Sequence, residues 1–494
     1  MIKQVFFLIA TSLVLFCGSA APQPFTLQVI VKNQPAAPAV LGTLRGDNFL
    51  PLDTLKAQPV LRDPSSVAEP ALKNFHFHFS DNAVRGVYRL MLGQTTYAKV
   101  MNEPPQQLDF IFNKENIVLE TDFKAPLDSL QVHESVENRV WFDFLQKEQL
   151  LTEEMELLEK EVDYYKSRVV EARSSGGNTT NLQELEQQAD QKANAFNQLQ
   201  MERNMFVENT VKENQNLFTA RLIQSFRQPF RDGYLNAGER KNSVQQEYFS
   251  YIDFSDESLI NSPVLTDKVF EFLVSYNQPG YNQEQREGAY IEAVDRIMAS
   301  AQKGNERVAE FILNYLVNGF EGLGMENVLT YIAENYSDNI CQTDEKTTLE
   351  RKLEYQKMKP GTFVPDFTMD NIKGQPLTFS HVQESRNLII FWASWCPHCV
   401  ELLPRVKTWF RQFNPGNFEI IAISLDTSEK EWKNAVTTAG FEEFYNLSDL
   451  KMWDGKVTED YNVFATPTMF LIDANRKILA KPETFEELLK NAAR

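Results

Sequence analysis

The sequence predicts a multidomain protein with an N-terminal antiparallel β domain, a central α-helical region containing a long helical hairpin, and a C-terminal α/β domain. Three observations lead to this prediction. The chain has 494 residues, which corresponds to roughly three domains and is too long for one compact core. The hydrophobic period becomes helical near Ser135. Beyond about residue 357, short apolar runs alternate with amphipathic segments, as in α/β domains.

Composition limits the classes of protein that the chain can belong to. Hydrophobic residues make up 43% and charged residues 24%, which excludes a wholly disordered chain. The formal net charge of −19 argues against a nucleic-acid partner, because nucleic acids are bound through concentrated Lys and Arg. Four cysteines are too few for a disulfide-stapled scaffold. Any cysteine chemistry must therefore come from particular positions.

The first 20 residues have the pattern of a secretory signal peptide. Lys3 precedes an apolar run, Val5–Cys17, which small residues follow. The run is shorter than the ~20 residues that span a bilayer. Cleavage after Ala20 would leave the mature chain in the periplasm or cell envelope. The alternative is lipoprotein anchoring at Cys17, which the bulky Phe16 before it disfavours.

Residues 21–130 are predicted to form a β-sandwich-like domain. Phe75–Phe79 alternates strictly between Phe and His, so that the aromatic rings share one face of a strand. Further strand patterns occur at Phe25–Val31, Gly86–Leu92, Asp109–Phe112 and Asn116–Glu120. His76 and His78 share the opposite face, but no third ligand is near in sequence. We therefore expect them to face solvent, and we predict no metal site.

Residues 131–215 are predicted to form an antiparallel helical hairpin around the break at Ser174–Thr180. The apolar residues that recur at helical spacing are Phe144, Leu151, Met155, Leu158, Val162, Tyr165, Val169, Leu182, Leu185, Ala189, Phe196, Leu199 and Phe206. The same phase passes through Lys192 and Arg203, which interrupts the apolar stripe. Arms of ~30 residues would extend ~45 Å. The hairpin is either a spacer or dimerisation arm, or an internal hairpin packed on its own chain.

Residues 216–350 are predicted to be an α-helical domain. Amphipathic stretches occur at Val269–Tyr276, Tyr290–Ala299, Val308–Val317 and Met325–Asn335. No catalytic constellation stands out among them. Cys341 lies in a polar stretch, either as a free thiol or as a structural residue, and its role is unassigned.

The chemistry of the sequence is concentrated in Cys396-Pro397-His398-Cys399. An apolar strand, Leu388–Trp392, precedes this motif and an amphipathic helix follows it. Cys396 would stand at the start of the helix, where unpaired backbone N–H groups and the helix dipole favour a thiolate. Pro397 suits the first turn, and Cys399 lies close enough to form a disulfide with Cys396. Cys396 could attack a disulfide, and Cys399 could then resolve the mixed disulfide.

Three other interpretations of the two cysteines are weaker. A zinc site would need two more ligands, and the sequence has no second Cys-x-x-Cys. A purely structural disulfide does not require the position at the junction between strand and helix. A peroxidase of the peroxiredoxin kind would have Thr three residues before its reactive cysteine, whereas this chain has Ala393.

The segment Phe391–Cys399, with Pro404, and the segment Val463–Asp473 resemble the two signature motifs of the TlpA/ResA-type extracytoplasmic thioredoxin-like proteins. The resemblance covers residues 357–494. It implies a thioredoxin-like fold, thiol–disulfide exchange with protein substrates without a cofactor, and a membrane redox partner. It also implies that Pro467 is a cis-proline shaping the substrate groove, with Thr466 pairing with a substrate strand. Trp395 would line the same surface.

Departures from the family pattern leave the proton acceptor for Cys399 open. Leu402 replaces a Glu that many relatives carry, with Glu401 one position earlier, and Ile390 stands where thioredoxin has a buried Asp. The dipeptide Pro397-His398 resembles that of DsbA-type oxidases, in which a His stabilises the thiolate. The dipeptide favours an oxidase and the family favours a reductase; we favour the reductase direction slightly.

A function of another class is also consistent with the sequence. Residues before 350 form most of the chain and could bind a partner, so that the protein would be an envelope scaffold whose redox domain serves one dedicated client.

Overall fold

The computed structural model describes residues 24–35, 37–59, 72–175, 179–337, 346–382, 384–413 and 418–493. The predicted signal peptide and Cys341 lie outside these residues. Contacts divide the chain into two compact units. The first comprises the described residues up to Ile252 together with Ser258–Asp267, and the second comprises Asp253–Glu257 and the described residues from Lys268 onward. The predicted multidomain fold class, with sheets, then helices, then a thioredoxin-like C-terminal domain, is confirmed. In the part of the chain that the structure describes, no helix is long and apolar enough to cross a membrane.

The first unit begins with two sheets that face each other across one apolar core. Its first elements are β1 (Thr26–Lys32), β2 (Ala39–Arg45), β3 (Asn48–Leu55), β4 (Gln58–Pro59), β5 (Leu72–His78), β6 (Gly86–Gly93), α1 (Thr96–Val100), β7 (Gln106–Phe112), β8 (Ile117–Asp122) and β9 (Gln131–Glu134). One sheet has the order β4-β5-β1-β8-β9 and the other β3-β2-β6-β7. Inward side chains of both sheets, such as Val29, Phe75 and Phe110, belong to one buried cluster, which makes this part a β-sandwich.

Strand β1 lies between β5 and β8 at the centre of its sheet. It pairs antiparallel with β5 but parallel with β8. The alternation of side chains in the sequence does not show whether two strands pair in a parallel or an antiparallel manner. On β5, Phe75 is fully buried while His76 and His78 are exposed, as the alternation predicts.

The helical hairpin consists of α2 (Val136–Ser174) and α3 (Thr179–Glu213), which pack along each other. Apolar contacts such as those among Met155, Val162 and Phe196 form its core. The two cations that interrupt the apolar stripe have partners across the hairpin. Lys192 Nζ lies 2.7 Å from Glu161 Oε2, and the buried Arg203 pairs with the buried Glu148. The interruptions in the stripe are therefore complementary charges that join the two arms.

A buried carboxylate joins the base of the hairpin to the next helix of the same unit. Helix α4 (Phe218–Gln224) begins beside Glu137, and α5 (Ala237–Glu247) follows. The Glu137 carboxylate accepts hydrogen bonds from the backbone N–H groups of Phe218 and Thr219, at 2.9 and 2.7 Å. It thereby satisfies two of the N–H groups that the first turn of α4 leaves unpaired.

The second unit contains amphipathic helices that precede the C-terminal domain. The helices in this part of the chain are α6 (Val264–Tyr276), whose residues from Lys268 onward belong to this unit, α7 (Gln283–Ala301), α8 (Glu306–Gly322), α9 (Glu326–Tyr336) and α10 (Thr348–Lys357). Helices α7, α8 and α9 contact one another, and α10 packs on α9. The predicted helical stretch from 216 to 350 therefore contributes helices to both units.

The C-terminal domain is a five-stranded sheet with helices around it. Its elements are β10 (Thr368–Asp370), β11 (Pro376–Thr378), β12 (Arg386–Trp392), α11 (Pro397–Phe413), β13 (Phe418–Ser424), α12 (Glu429–Ala439), β14 (Tyr445–Leu447), α13 (Lys456–Asp460), β15 (Thr468–Asp473), β16 (Ile478–Ala480) and α14 (Phe485–Ala492). The sheet order is β14-β13-β12-β15-β16. Strands β12, β13 and β14 pair in parallel, and β15 pairs antiparallel with both β12 and β16. Central strand β12 is buried from Asn387 to Trp392, as its apolar sequence predicts.

Candidate active site

The strand β12 delivers the two cysteines to the first turn of α11. The chain turns after Trp392, and the Cys396 N–H donates to the Ala393 carbonyl at 3.2 Å. Pro397 is the first residue of α11, where the absence of an N–H costs no helical hydrogen bond. Cys399 follows in the same turn, and its N–H donates to the Cys396 carbonyl at 3.1 Å. The sequence-predicted junction between strand and helix therefore carries both thiols.

A buried carboxylate that the sequence analysis missed fixes the turn before Cys396. Asp426 is fully buried and lies just beyond the end of β13, the parallel neighbour of β12. Its oxygens accept hydrogen bonds from the Ser394 N–H at 3.1 Å, the Ser394 hydroxyl at 2.5 Å and the Ser424 hydroxyl at 2.7 Å. The carboxyl ends of adjacent parallel strands lie at one edge of a sheet, and this rule was the signal that could have placed Asp426 beside Ser394.

The two cysteine sulfurs lie in contact beneath the surface. Cys396 is 5% exposed and Cys399 is fully buried. The Cys399 thiol donates to Cys396 Sγ at 2.7 Å, and the Cys399 N–H also donates to this sulfur at 3.3 Å. Burial, and after it the hydrogen bond to Cys396, raises the pKa of the Cys399 thiol to about 12. The inner thiol is therefore protonated at neutral pH, and the outer thiol lies closer to solvent.

The loop before β15 closes the other side of the outer thiol. The peptide bond between Thr466 and Pro467 is cis. The Thr466 carbonyl accepts a hydrogen bond from the Cys396 thiol at 3.3 Å, and both Thr466 and Pro467 are partly exposed. The structure thus brings together Cys396, Cys399, Thr466 and Pro467, which the two sequence motifs predicted separately.

Two tryptophans near the motif have different surroundings. Trp395 is 48% exposed, and its ring meets that of Trp453 edge to face, with a centroid separation of 6.4 Å. Trp392 is 1% exposed and belongs to the core of the domain. Trp395 therefore contributes to the surface beside Cys396, and Trp392 to the scaffold.

Other predicted site residues point to solvent. Pro397, His398 and Glu401 are all exposed. Among the described residues, no hydrogen bond joins the His398 ring to either cysteine sulfur. Glu401 does not turn inward toward Cys399, while Ile390 is buried at the position where thioredoxin has an acid. Neither position therefore supplies a buried proton acceptor to the inner thiol.

Comparison with known proteins places the C-terminal region in a family. The AhpC/TSA family matches residues 360–481. The thiol–disulfide oxidoreductase ResA of Bacillus thuringiensis is 27% identical over 143 residues, which cover 27% of this chain and 79% of that protein. The sporulation thiol–disulfide oxidoreductase A of Bacillus subtilis is 24% identical over 127 residues, covering 25% of this chain and 74% of that protein. A solved thiol–disulfide oxidoreductase from Bacteroides fragilis is 27% identical and covers 26% of this chain and 98% of its own, with a TM-score of 0.24.

The family match includes the residues that hold the two cysteines and the cis-proline loop. The family match leaves the β-sandwich, the hairpin and the central helices α4 to α10 outside the matched region. The chain therefore carries a C-terminal domain of the AhpC/TSA family, and it is a thiol–disulfide oxidoreductase of the thioredoxin-like type.

Proposed function

We propose that this protein is a periplasmic or cell-envelope thiol–disulfide oxidoreductase that exchanges disulfides with protein substrates through Cys396 and Cys399. One observation carries the proposal. Cys396 lies just below the surface at the start of α11, with the Cys399 sulfur 2.7 Å from its own and the Thr466 carbonyl 3.3 Å away. A substrate disulfide can approach Cys396 from the solvent side, and the Cys399 thiol lies on the buried side of Cys396.

The reaction would follow two exchanges. The Cys396 thiolate attacks one substrate sulfur; the substrate disulfide breaks, and its other sulfur leaves as a thiolate that takes a proton from water. The Cys399 thiolate, having given its proton to solvent, then attacks Cys396 Sγ and releases the second substrate thiolate. Two electrons pass from the enzyme dithiol to the substrate, and the enzyme is left with a disulfide. A dithiol donor must reduce that disulfide before the next cycle, and we propose a membrane thiol–disulfide partner for this step.

The exposure of His398 supports the reductase direction. A histidine that contacts the nucleophilic sulfur stabilises the reduced enzyme and makes the disulfide more oxidising. Here the ring is exposed and forms no hydrogen bond with either sulfur within the described residues. We expect a potential nearer to the ~−270 mV of thioredoxin than to the ~−120 mV of DsbA. Equilibration with glutathione buffers measures this potential, and a value above about −150 mV would assign the oxidase direction instead.

Insulin reduction with dithiothreitol tests the exchange activity. The wild-type protein should accelerate the appearance of turbidity, and the Cys396→Ser variant should match dithiothreitol alone because the attacking sulfur is absent. Cys399→Ser retains the attacking sulfur and should accumulate mixed disulfides with its substrates. A wild type no faster than Cys396→Ser would remove the proposal. Consumption of peroxide at a comparable rate would favour the peroxidase alternative.

The N-terminal pattern supports export. Lys3, the apolar run Val5–Cys17 and the small residues that follow lie outside the described residues, and the proposal rests on their sequence alone. N-terminal sequencing of protein from a periplasmic fraction should begin at Ala21. A lipid-modified Cys17 at the new N-terminus would show anchoring instead.

Apolar residues on the outer face of the hairpin support oligomerisation. Leu150, Leu157 and Tyr164 are 64%, 61% and 58% exposed and follow one another at intervals of seven along α2. A repeat of seven aligns side chains into one stripe on a helix. We propose that this stripe meets a second copy of the chain. Sedimentation should show a dimer that Leu157→Glu dissociates, and a wild-type monomer at micromolar concentration would contradict the proposal.

A further inference from the structure

Helix α10 lies next to the active site of its own unit although it precedes the matched family region. Its Arg351 is 8% exposed, and one guanidinium nitrogen, Nη1, donates to two backbone carbonyls. These are the carbonyl of Trp453 at 2.8 Å and that of Val463 at 3.3 Å. Trp453 lies in a short turn, and its ring meets that of Trp395. Val463 lies in the loop that leads to Thr466 and the cis-proline. One nitrogen therefore joins the two segments that flank Cys396.

Other side chains of the same helix hold the same loop. The ring of Tyr355 meets those of Phe464 and Phe470 edge to face, with centroid separations of 5.5 and 5.6 Å. Lys352 Nζ lies 5.4 Å from the centre of the Phe464 ring. Just before the helix, Lys346 Nζ donates to Asn462 Oδ1 at 3.0 Å. The loop therefore depends on α10 for polar and apolar contacts.

Helix α10 is itself fixed to the preceding helices of the unit. Lys352 Nζ donates to Glu321 at 2.5 Å and to Asn318 at 2.8 Å, both on α8. Lys357 Nζ donates to the Ser337 hydroxyl at 2.7 Å, just after α9. The helices before the thioredoxin-like core thus reach the loop beside Cys396 through α10.

We propose that Arg351 is a positioning residue for the exchange reaction, because it sets the distance between the Trp453 turn and the loop before Pro467. The groove between these segments is where an extended substrate strand would lie against Thr466. A buried guanidinium needs acceptors in fixed directions, so its removal leaves the partly buried Trp453 carbonyl and the buried Val463 carbonyl without that donor and frees the two segments from each other. The inference rests on the exchange activity proposed above and adds a residue outside the matched family region.

The test compares two substrates. Oxidised insulin presents polypeptide strands to the groove, while Ellman's reagent is a small disulfide that needs no strand pairing. For Arg351→Met in the full chain, we expect kcat/KM for insulin to fall about tenfold, mainly through a higher KM. The rate with Ellman's reagent should change less than about twofold. Arg351→Lys retains one donor group and should lie between the wild type and Arg351→Met.

Matched variants separate this role from general damage. Arg405→Met removes an exposed arginine of α11 that pairs with Glu486, and both rates should stay near those of the wild type. Lys346→Met removes only the contact with Asn462 and should raise the KM for insulin about twofold even if Arg351→Met does not fold. An equal fall for both substrates, or an unchanged KM for insulin in both variants, would overturn the positioning role. If the wild type reduces neither substrate, the proposed function fails instead.

Discussion

Glu148 in the middle of the hairpin and Asp426 in the redox domain are both buried carboxylates, and they have different partners. In the hairpin, Glu148 pairs with the buried Arg203, 55 residues away on the opposite arm. In the redox domain, Asp426 accepts from one N–H group and two hydroxyls, none of which carries a charge. Both carboxylates are at most 5% exposed. Desolvation is therefore similar in the two regions, and what differs is the kind of donor.

The difference separates two structural tasks. A charged partner attracts at longer range and in many directions, so an ion pair suits the alignment of two long helices. Neutral donors act only at short range and in fixed directions, so they suit a single turn whose shape matters. At Asp426 that turn carries Cys396, and its geometry controls where the outer sulfur lies. The predictions below test these two tasks, beginning with the largest expected effect.

The first prediction removes the cation of the hairpin pair. Arg203→Met should lower the unfolding free energy of the first unit by about 3–5 kcal/mol, because it leaves a buried carboxylate without its counter-charge. The double variant Glu148→Leu, Arg203→Met should recover most of this loss. Urea unfolding of the full chain, followed by circular dichroism, measures both. As a control, Arg168→Met removes an exposed ion pair between Arg168 and Glu171, which both lie on α2, and it should cost under about 1 kcal/mol of unfolding free energy. Equal losses for Arg203→Met and Arg168→Met would contradict the assignment.

The second prediction changes Asp426 to Asn, which keeps its shape and replaces an acceptor oxygen by a donor. A donor then faces the N–H and hydroxyl groups of Ser394 and Ser424. We expect the second unit to lose about 1–3 kcal/mol of unfolding free energy, together with a fall in insulin reduction. Asp370→Asn, at an exposed position of the same domain, is the control. If the two variants unfold at the same urea concentration, Asp426 does not fix the turn.

The third prediction concerns the buried thiol. Because the pKa of Cys399 is raised to about 12, its thiolate fraction is small at neutral pH and grows with pH. In a mixed disulfide Cys396 no longer has a free thiol, but burial, the largest cause of the raised pKa of Cys399, remains, so release of substrate should accelerate several-fold between about pH 7 and 9. Rapid acid quenching after a pH jump measures this rate. A rate that does not change across that interval would show that Cys399 loses its proton by another route.

The fourth prediction has the smallest effect and concerns an exposed group. His398 forms no hydrogen bond with either sulfur within the described residues, so His398→Ala should change the redox potential by less than about 30 mV. If the ring did stabilise the reduced enzyme, its removal would make the potential more negative by more than that. Equilibration with glutathione distinguishes the two outcomes, and His381→Ala, at another exposed histidine, serves as the control.

The elements that the sequence missed lack an uninterrupted pattern. In the sandwich, Gly42 stands in the middle of β2, and a Cβ there would collide with the Leu50 carbonyl oxygen. Its neighbour β3 contains Pro51 beside a register shift, so both strands lose the regular alternation that marked the others. Helix α10 is short and charged, and tertiary contacts such as those of Arg351 and Tyr355 stabilise it. Local propensity could not reveal an element that depends on distant partners.

In the candidate site, too, residues in local sequence motifs could be predicted, whereas residues that depend on distant partners could not. Cys396, Cys399 and Pro467 lie in short local motifs, and the residue types of these motifs were enough to predict their positions at the site. Asp426 and Arg351 lie outside the two local motifs, and their partners are distant in the sequence: Arg351 donates to backbone carbonyls, and Asp426 accepts from a backbone N–H and two serine hydroxyls. Only the pairing of β12 with β13, and the packing of α10, bring these two residues to the site.

The central place of β1 has a consequence for how the first unit assembles. The strand is complete by Lys32, yet its parallel neighbour β8 ends only at Asp122, so the hydrogen bonds between β1 and β8 join segments that are far apart in the sequence. Pairing between such distant segments must overcome a large loop entropy, which makes it slow compared with closing a hairpin. One edge of the innermost strand therefore waits for β8, whereas β5, which ends at His78, is available earlier for the other edge.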